Sequence, residues 1–217
     1  MAVIKIITNP IVNCYLLKTG GTYFMVDAGV SFYRGTLKKA LKQEGCRPGD
    51  LKIVVITHGD YDHTGNCAFL QKKYGARIAV HKDEAVALER GEMLASRKTR
   101  QGIMFRVTLA LFKRLIFRRC KPDILVGEGD DLGEYGLDGK VVHIPGHTTG
   151  SIGVLTGEGD FFCGDLLTNS GRPEKNKLVD DMAEMDVSIE KMKTLGVKTV
   201  YPGHGRPFRM EELLAWK

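Results

Sequence analysis

Four histidines and three aspartates fall beside glycines just past runs of strand-forming residues, and imidazole and carboxylate are side chains that bind divalent metal ions. His58, Asp60 and Asp62 follow the β-branched run Lys52 to Ile56 at a spacing of two. In an extended loop that spacing would project all three side chains to one side. His63 comes next, where the chain turns into a helix, and can point to a neighbouring ion. His147 lies in Pro145-Gly146-His147-Thr148-Thr149-Gly150-Ser151, Asp165 in Cys163-Gly164-Asp165 and His204 in Pro202-Gly203-His204-Gly205. Nitrogen and oxygen donors of this kind suit Zn²⁺, Fe or Mn²⁺, and no cysteine reads as a ligand, so the set points to an open catalytic centre and not a closed structural one.

Other chemistry-bearing residues read as structural. His143 sits within a strand two residues before Pro145, and His81 opens a surface helix, so neither joins the site. Asp27 reads as capping a turn before Gly29 or standing behind the metal ligands, and not as a ligand itself. Tyr61 alternates away from Asp60 and Asp62 and is assigned to packing, as is Cys163. Thr148 and Ser151 are candidates for hydrogen bonds behind the metal ligands.

The elements that must position these residues alternate between strand and helix. Strands are expected at Val3 to Ile7, Asn13 to Lys18 and Thr22 to Val26, with a Gly20-Gly21 turn between the last two. A helix follows from Thr36 to Glu44, then the buried strand Lys52 to Ile56. Next come a helix over Gly65 to Tyr74 capped by Gly75, a strand over Arg77 to Val80 and a helix over Lys82 to Arg90. Gly102 to Arg119 reads as an amphipathic helix with a basic side. Strands return at Ile124 to Val126, Lys140 to Ile144, Ser151 to Thr156 and Asp160 to Cys163. A helix over Asp181 to Leu195 is expected to bury Met182, Met185, Ile189 and Met192, and Val197 to Tyr201 is the last strand. With no internal repeat or low-complexity linker, the 217 residues read as one α/β domain with a basic insert over about 91–121.

Composition excludes several classes. At 43% hydrophobic and 27% charged residues the chain lacks the signature of disorder, and no apolar run reaches membrane-spanning length. Met1 to Leu17 lacks a basic leader and contains Asn9, Pro10 and Asn13, so no export signal is expected. Five cysteines without a close C-x-x-C pair argue against a disulfide framework, and a cytoplasmic location fits. The net charge of +6 has a local source: nine Lys and Arg residues lie between Met93 and Pro122 without an acid, which leaves the remainder at −3. That run reads in three ways: a solvated face, a lid whose arginines clamp an anionic substrate, or a surface for phosphate or anionic lipid.

Together the motifs resemble the metallo-β-lactamase-fold hydrolase superfamily, whose hallmark is H-x-H-x-D-H followed by a downstream His, a bridging Asp and a last His. Thr57-His58-Gly59-Asp60-Tyr61-Asp62-His63-Thr64-Gly65 matches except at Asp60, and the Asp27-Ala28-Gly29 turn, Pro-Gly-His-Thr, Gly-Asp and Pro-Gly-His-Gly fall in family order. The resemblance implies a four-layer αββα sandwich with two metal ions at one edge. It places His58 and His147 on one ion, Asp62, His63 and His204 on the other, Asp165 bridging and Asp60 joining the first. It further implies a metal-bound hydroxide as nucleophile, oriented by Asp62 as catalytic residue.

Asp60 is the departure. Two dications facing two carboxylates and a hydroxide leave a formal charge of about +1, and an ionised Asp60 brings it to about zero. That weakens Lewis acidity and makes the first site more hospitable to iron or manganese, although zinc stays the first expectation. The family's flavodiiron branch similarly carries a carboxylate, glutamate, at this position. The short form with Pro-Gly-His-Thr-x-Gly-Ser looks like glyoxalase II and lactonase relatives. The expected reaction is therefore hydrolysis of an ester, thioester or lactone on a small-molecule substrate that is anionic or acyl-bearing. The alternatives are a phosphodiesterase acting on nucleotide or nucleic acid, disfavoured as a partner at this length, and a di-iron redox enzyme. Peripheral membrane contact and oligomeric state stay open.

Overall fold

The computed structural model describes residues 2–92 and 118–215. The expected helix over Gly102 to Arg119, save its last two residues, which are not helical, lies outside the described residues, and with it nearly all of the basic insert.

The first sheet opens as a meander. Strands β1 (Val3–Thr8), β2 (Asn13–Thr19) and β3 (Thr22–Val26) pair antiparallel in succession. Then β4 (Leu51–Ile56), β5 (Arg77–His81) and β6 (Ile124–Val126) add in parallel, in the order β1-β2-β3-β4-β5-β6. Parallel neighbours need crossovers, which α1 (Arg34–Gln43), α3 (Cys67–Tyr74) and α4 (Lys82–Arg90) provide or begin. The second sheet holds β7 (Gly139–His143), β8 (Ile152–Thr156), β9 (Asp160–Asn169), β11 (Thr199–Gly205) and β12 (Phe208–Arg209), in the order β12-β11-β9-β8-β7, with the short β10 (Glu174–Lys175) on β9. Two helices, α5 (Met182–Lys193) and α6 (Met210–Leu214), flank its last strands in sequence.

Side-chain alternation assigns the layers. From β3 and β4, Met25, Val54 and Ile56 pack with Leu37 and Leu41 of α1 and Leu70 of α3, while their neighbours Phe24, Val26, Ile53 and Val55 pack with Val141, Ile152, Val154 and Phe162 of the second sheet. The second sheet then turns Val142, Leu155, Phe161 and Cys163 to Met185, Ile189 and Met192 of α5. Three apolar clusters separated by two sheets are the four layers expected, and they explain why β4 reads as a continuous hydrophobic run: both of its faces are covered.

The structure differs from the sequence reading in ways that bear on the site. Strand β9 runs on to Asn169 and β11 to Gly205, so Asp165 and His204 lie inside parallel paired strands and not in loops. The pairing is irregular there, with register shifts between Tyr201 and Pro202 and between Pro202 and His204. Bulges of this kind re-aim side chains without ending the strand. A short helix, α2 (Tyr61–Thr64), starts directly after Asp60, so Asp60 and Asp62 do not share one extended loop. Met182 is 46% exposed, unlike Met185, Ile189 and Met192. Among the described residues no helix is long and apolar enough to cross a membrane.

Candidate metal centre

All seven predicted residues converge where the two sheets meet. Ligand atoms of His58, His147 and Asp165 lie within 4.8 Å of one another, and so do those of Asp62, His63 and His204. Asp165 stands between the groups, with Oδ1 3.3 Å from His63 Nε2 and Oδ2 3.2 Å from His204 Nε2 and 3.7 Å from His147 Nε2. Asp60 Oδ2 is 3.3 Å from His147 Nε2 and 3.6 Å from His58 Nε2, on the first group. Asp62 Oδ2 is 3.5 Å from His204 Nε2 and 3.8 Å from His63 Nε2, on the second. The turn into α2 therefore sends the two aspartates to different groups.

Each histidine is aimed by its other ring nitrogen. His63 Nδ1 meets Asp27 Oδ2 at 2.8 Å, His147 Nδ1 meets the Leu178 carbonyl at 2.5 Å, His204 Nδ1 meets the Ile11 carbonyl at 2.6 Å, and His58 Nδ1 lies 3.0 Å from Thr57 Oγ1. A carbonyl accepts only, so His147 and His204 must donate from Nδ1, which leaves the Nε2 lone pair facing the centre. His58 Nε2, His63 Nε2 and Asp165 Oδ1 are buried without a hydrogen-bond partner. Orphaned polar atoms of this kind are costly in an interior, and a cation is what would satisfy two imidazole nitrogens and a carboxylate oxygen facing one space. The donor set fits two divalent ions.

Support comes from elements distant in sequence. Asp27, expected to cap a turn or stand behind the metal ligands, takes the second place: it adopts φ 61°, lies buried, accepts from the Thr57 amide at 2.8 Å and from the Thr57 hydroxyl, and holds His63. A non-glycine residue in the left-handed region is strained, and such strain gathers at functional sites. Tyr15 and Asn13 of β2 both donate to the Pro202 carbonyl, and Asn13 also to that of Gly205, which fixes the irregular stretch of β11 carrying His204 across the sheet interface. Thr148 and Ser151 hydrogen-bond each other within their own loop.

Two residues escaped the sequence reading. Glu84 of α4 is buried, accepting from the amides of Gly59 and Gly150. Its only sequence signal was a carboxylate in the first turn of a helix, which usually means a solvated face. Asn176 donates to Asp165 Oδ2 at 3.1 Å and accepts from the Leu178 amide at 3.0 Å, and it lies in a segment with no periodicity. His81 is buried, not on a surface helix: it caps α4 and stacks on His143 with ring centroids 4.6 Å apart. As expected, neither enters the centre.

Burial, reinforced by the neighbouring His63 and His147 rings, pushes His58 down to about 4, so it stays neutral at pH 7. For His63 burial also opposes protonation, but the carboxylates of Asp27, Asp165 and Asp62 outweigh it and hold the imidazole well above its usual value. Burial raises Asp62, whereas for Asp165 the histidines overcome burial and hold it low.

A cleft of about 300 Å³ opens over the centre, lined by Asp60, Tyr61, Asp62, Asp165, Thr168, Asn176, Leu178 and His204. Tyr61 is therefore a wall of the cleft, not the packing residue that alternation suggested, because α2 rotates it out of the loop.

Fold and site together define an αββα sandwich with a candidate dinuclear metal centre at the meeting of its sheets. The chain belongs to the metallo-beta-lactamase superfamily, whose family model matches residues 7–204. A Drosophila melanogaster protein described as beta-lactamase-like protein 2 homolog is 26% identical over 207 residues, covering 89% of this chain and 58% of that protein. A hydroxyacylglutathione hydrolase of Pelagibacter ubique is 30% identical over 157 residues, 71% of this chain and 52% of the relative. The chain thus spans about half the length of these relatives. The solved structure of TTHA1623 in a di-iron-bound form superimposes with a TM-score of 0.72 at 23% identity, covering 99% of this chain and 97% of that one. That likeness concerns the fold.

Proposed function

We propose that this chain is a hydrolase that uses two divalent metal ions to cleave an ester, thioester or lactone, with His58, Asp60 and His147 holding one ion, Asp62, His63 and His204 the other, and Asp165 shared. Two bound divalent ions supply a water of lowered pKa and polarise the scissile carbonyl. The chain supplies geometry. Asp62 faces the cleft, where it orients the attacking water and accepts its proton. Tyr61 and the half-exposed Leu178 offer apolar contact for an acyl group, while Thr168 and Asn176 offer hydrogen bonds. The observation that carries the proposal is the convergence of seven donors from separate segments with orphaned nitrogens and oxygen facing one space.

A thioester is favoured because one relative, 30% identical over 157 residues, is a hydroxyacylglutathione hydrolase. The test is a panel of thioester, lactone, ester and phosphodiester substrates with the protein loaded at defined metal content. Turnover of thioesters that disappears with chelation supports the proposal; full activity of metal-free protein, or inactivity on every acyl substrate, overturns it.

A second reading concerns the metal. Asp60 gives the first group a second carboxylate beside Asp165, and oxygen-rich sites favour iron or manganese over zinc. Elemental analysis of protein purified without added metal separates a di-zinc hydrolase from a di-iron centre.

A further inference from the structure

Glu84 is fully buried, and its carboxylate joins two loops. Oε2 accepts from the Gly59 amide at 2.8 Å and Oε1 from the Gly150 amide at 3.2 Å. Gly59 lies between His58 and Asp60, on the loop that leaves the first sheet. Gly150 lies three residues beyond His147, on the loop that enters β8 of the second sheet. Burying a carboxylate costs several kcal/mol unless hydrogen bonds replace its water, and charge-assisted bonds from backbone amides do so only while both loops keep their places. Gly150 is tailored to this approach: a Cβ there would lie 2.8 Å from Glu84 Cγ and Oε1 and 3.1 Å from His81 Nδ1.

The distribution is asymmetric. His58, Asp60 and His147, the donors on Glu84's two loops, all belong to the first group. The second group has partners of its own: the Ile11 carbonyl on His204, Tyr15 and Asn13 on the stretch of β11 that bears His204, and Asp27 on His63, although Asp27 also holds Thr57 beside His58. We infer that Glu84 is a positioning residue for one metal ion of the two, setting the gap between the loop of His58 and Asp60 and the loop of His147. The role rests on the two-ion reading of the centre. In Glu84→Gln an amide NH₂ replaces one oxygen and faces one of the backbone N–H groups, so one loop is released.

The test uses the full chain, stripped of metal and titrated with Zn²⁺, with bound ions counted by native mass spectrometry. Two backgrounds isolate the sites: His204→Ala cripples the second group and His58→Ala the first. Adding Glu84→Gln to His204→Ala is expected to weaken Zn²⁺ binding by roughly 10–100-fold, the usual effect of losing a group behind the metal ligands. Adding it to His58→Ala is expected to leave Zn²⁺ affinity unchanged. Equal loss in both backgrounds, or no loss in either, overturns the role of Glu84, because a residue of general structural importance would not discriminate between the ions. Gly150→Ala, which presses on Glu84 from the other side, is expected to show the same asymmetry and serves if Glu84→Gln fails to fold. A wild-type chain that binds no ion ends the two-ion reading itself, whereas one that binds two while Glu84→Gln is unselective ends only this inference.

Discussion

At the residue scale, Asp60 sets this centre apart from the H-x-H-x-D-H pattern that its loop otherwise follows. It faces both His58 and His147, so Asp60→His exchanges a hard anionic donor for a borderline neutral one without changing the other donors. Reconstituted from an equimolar mixture of Zn²⁺, Fe²⁺ and Mn²⁺, Asp60→His is expected to favour zinc by roughly tenfold more than wild type does, the scale on which changes around a metal act. Elemental analysis of the two proteins reads this directly, and an unchanged ratio would mean that Asp60 does not touch the ion. Gly203 makes a different demand. A Cβ at this position would collide with Asp165 Oδ1 and lie 2.7 Å from His63 Cε1. Gly203→Ala should therefore cost roughly 10–100-fold in metal affinity while circular dichroism shows the fold retained, since the collision is with two ligands and not with the core.

At the element scale, the ends of strands and helices do the positioning. Asp181 caps α5, its carboxylate accepting from the Ala183 and Glu184 amides at 3.0 and 3.1 Å, and its own amide donates to Gly146, next to His147. Asp181→Ala is expected to cost about 1 kcal/mol, read as a lower urea midpoint at unchanged m-value. The sequence placed this helix within two residues at either end because a cap, a hydrophobic period and a terminal glycine are local signals. It misplaced Asp165 and His204, assigned to loops but carried by β9 and β11. Glycine and proline within Cys163-Gly164-Asp165 and Pro202-Gly203-His204 read as strand ends when only local propensity is weighed. The partner strand decided otherwise, since parallel pairing absorbs them as bulges.

At the scale of the whole molecule, the centre ties the two sheets together. His58, Asp60, Asp62 and His63 come from the end of β4 and from α2, while His147, Asp165 and His204 come from the second sheet. Ions held between them would bind the folded chain and not the unfolded one, and so would stabilise the sandwich by mass action. With both sites at about a hundred times their dissociation constants the linkage is on the order of 5 kcal/mol, worth roughly 10–20 °C in a domain of this size. Chelation is expected to lower the melting temperature on that scale, and calorimetry with and without chelator checks it. A melting temperature indifferent to metal would argue that no ion bridges the sheets.

By itself the sequence singled out seven candidate donors, because residue type and order along the chain are local facts, and the continuous apolar run of β4 already implied a strand buried on both faces. The resemblance also implied how those donors divide into two groups, but what brings them together is where α2 begins and how β9 and β11 bulge against each other, which only the tertiary structure decides. Nor could the sequence identify Glu84 or name Thr57 and His63 as the partners of Asp27. A buried carboxylate and a solvated one look alike in one dimension, and only packing two sheets and their helices together decides which amides each will meet.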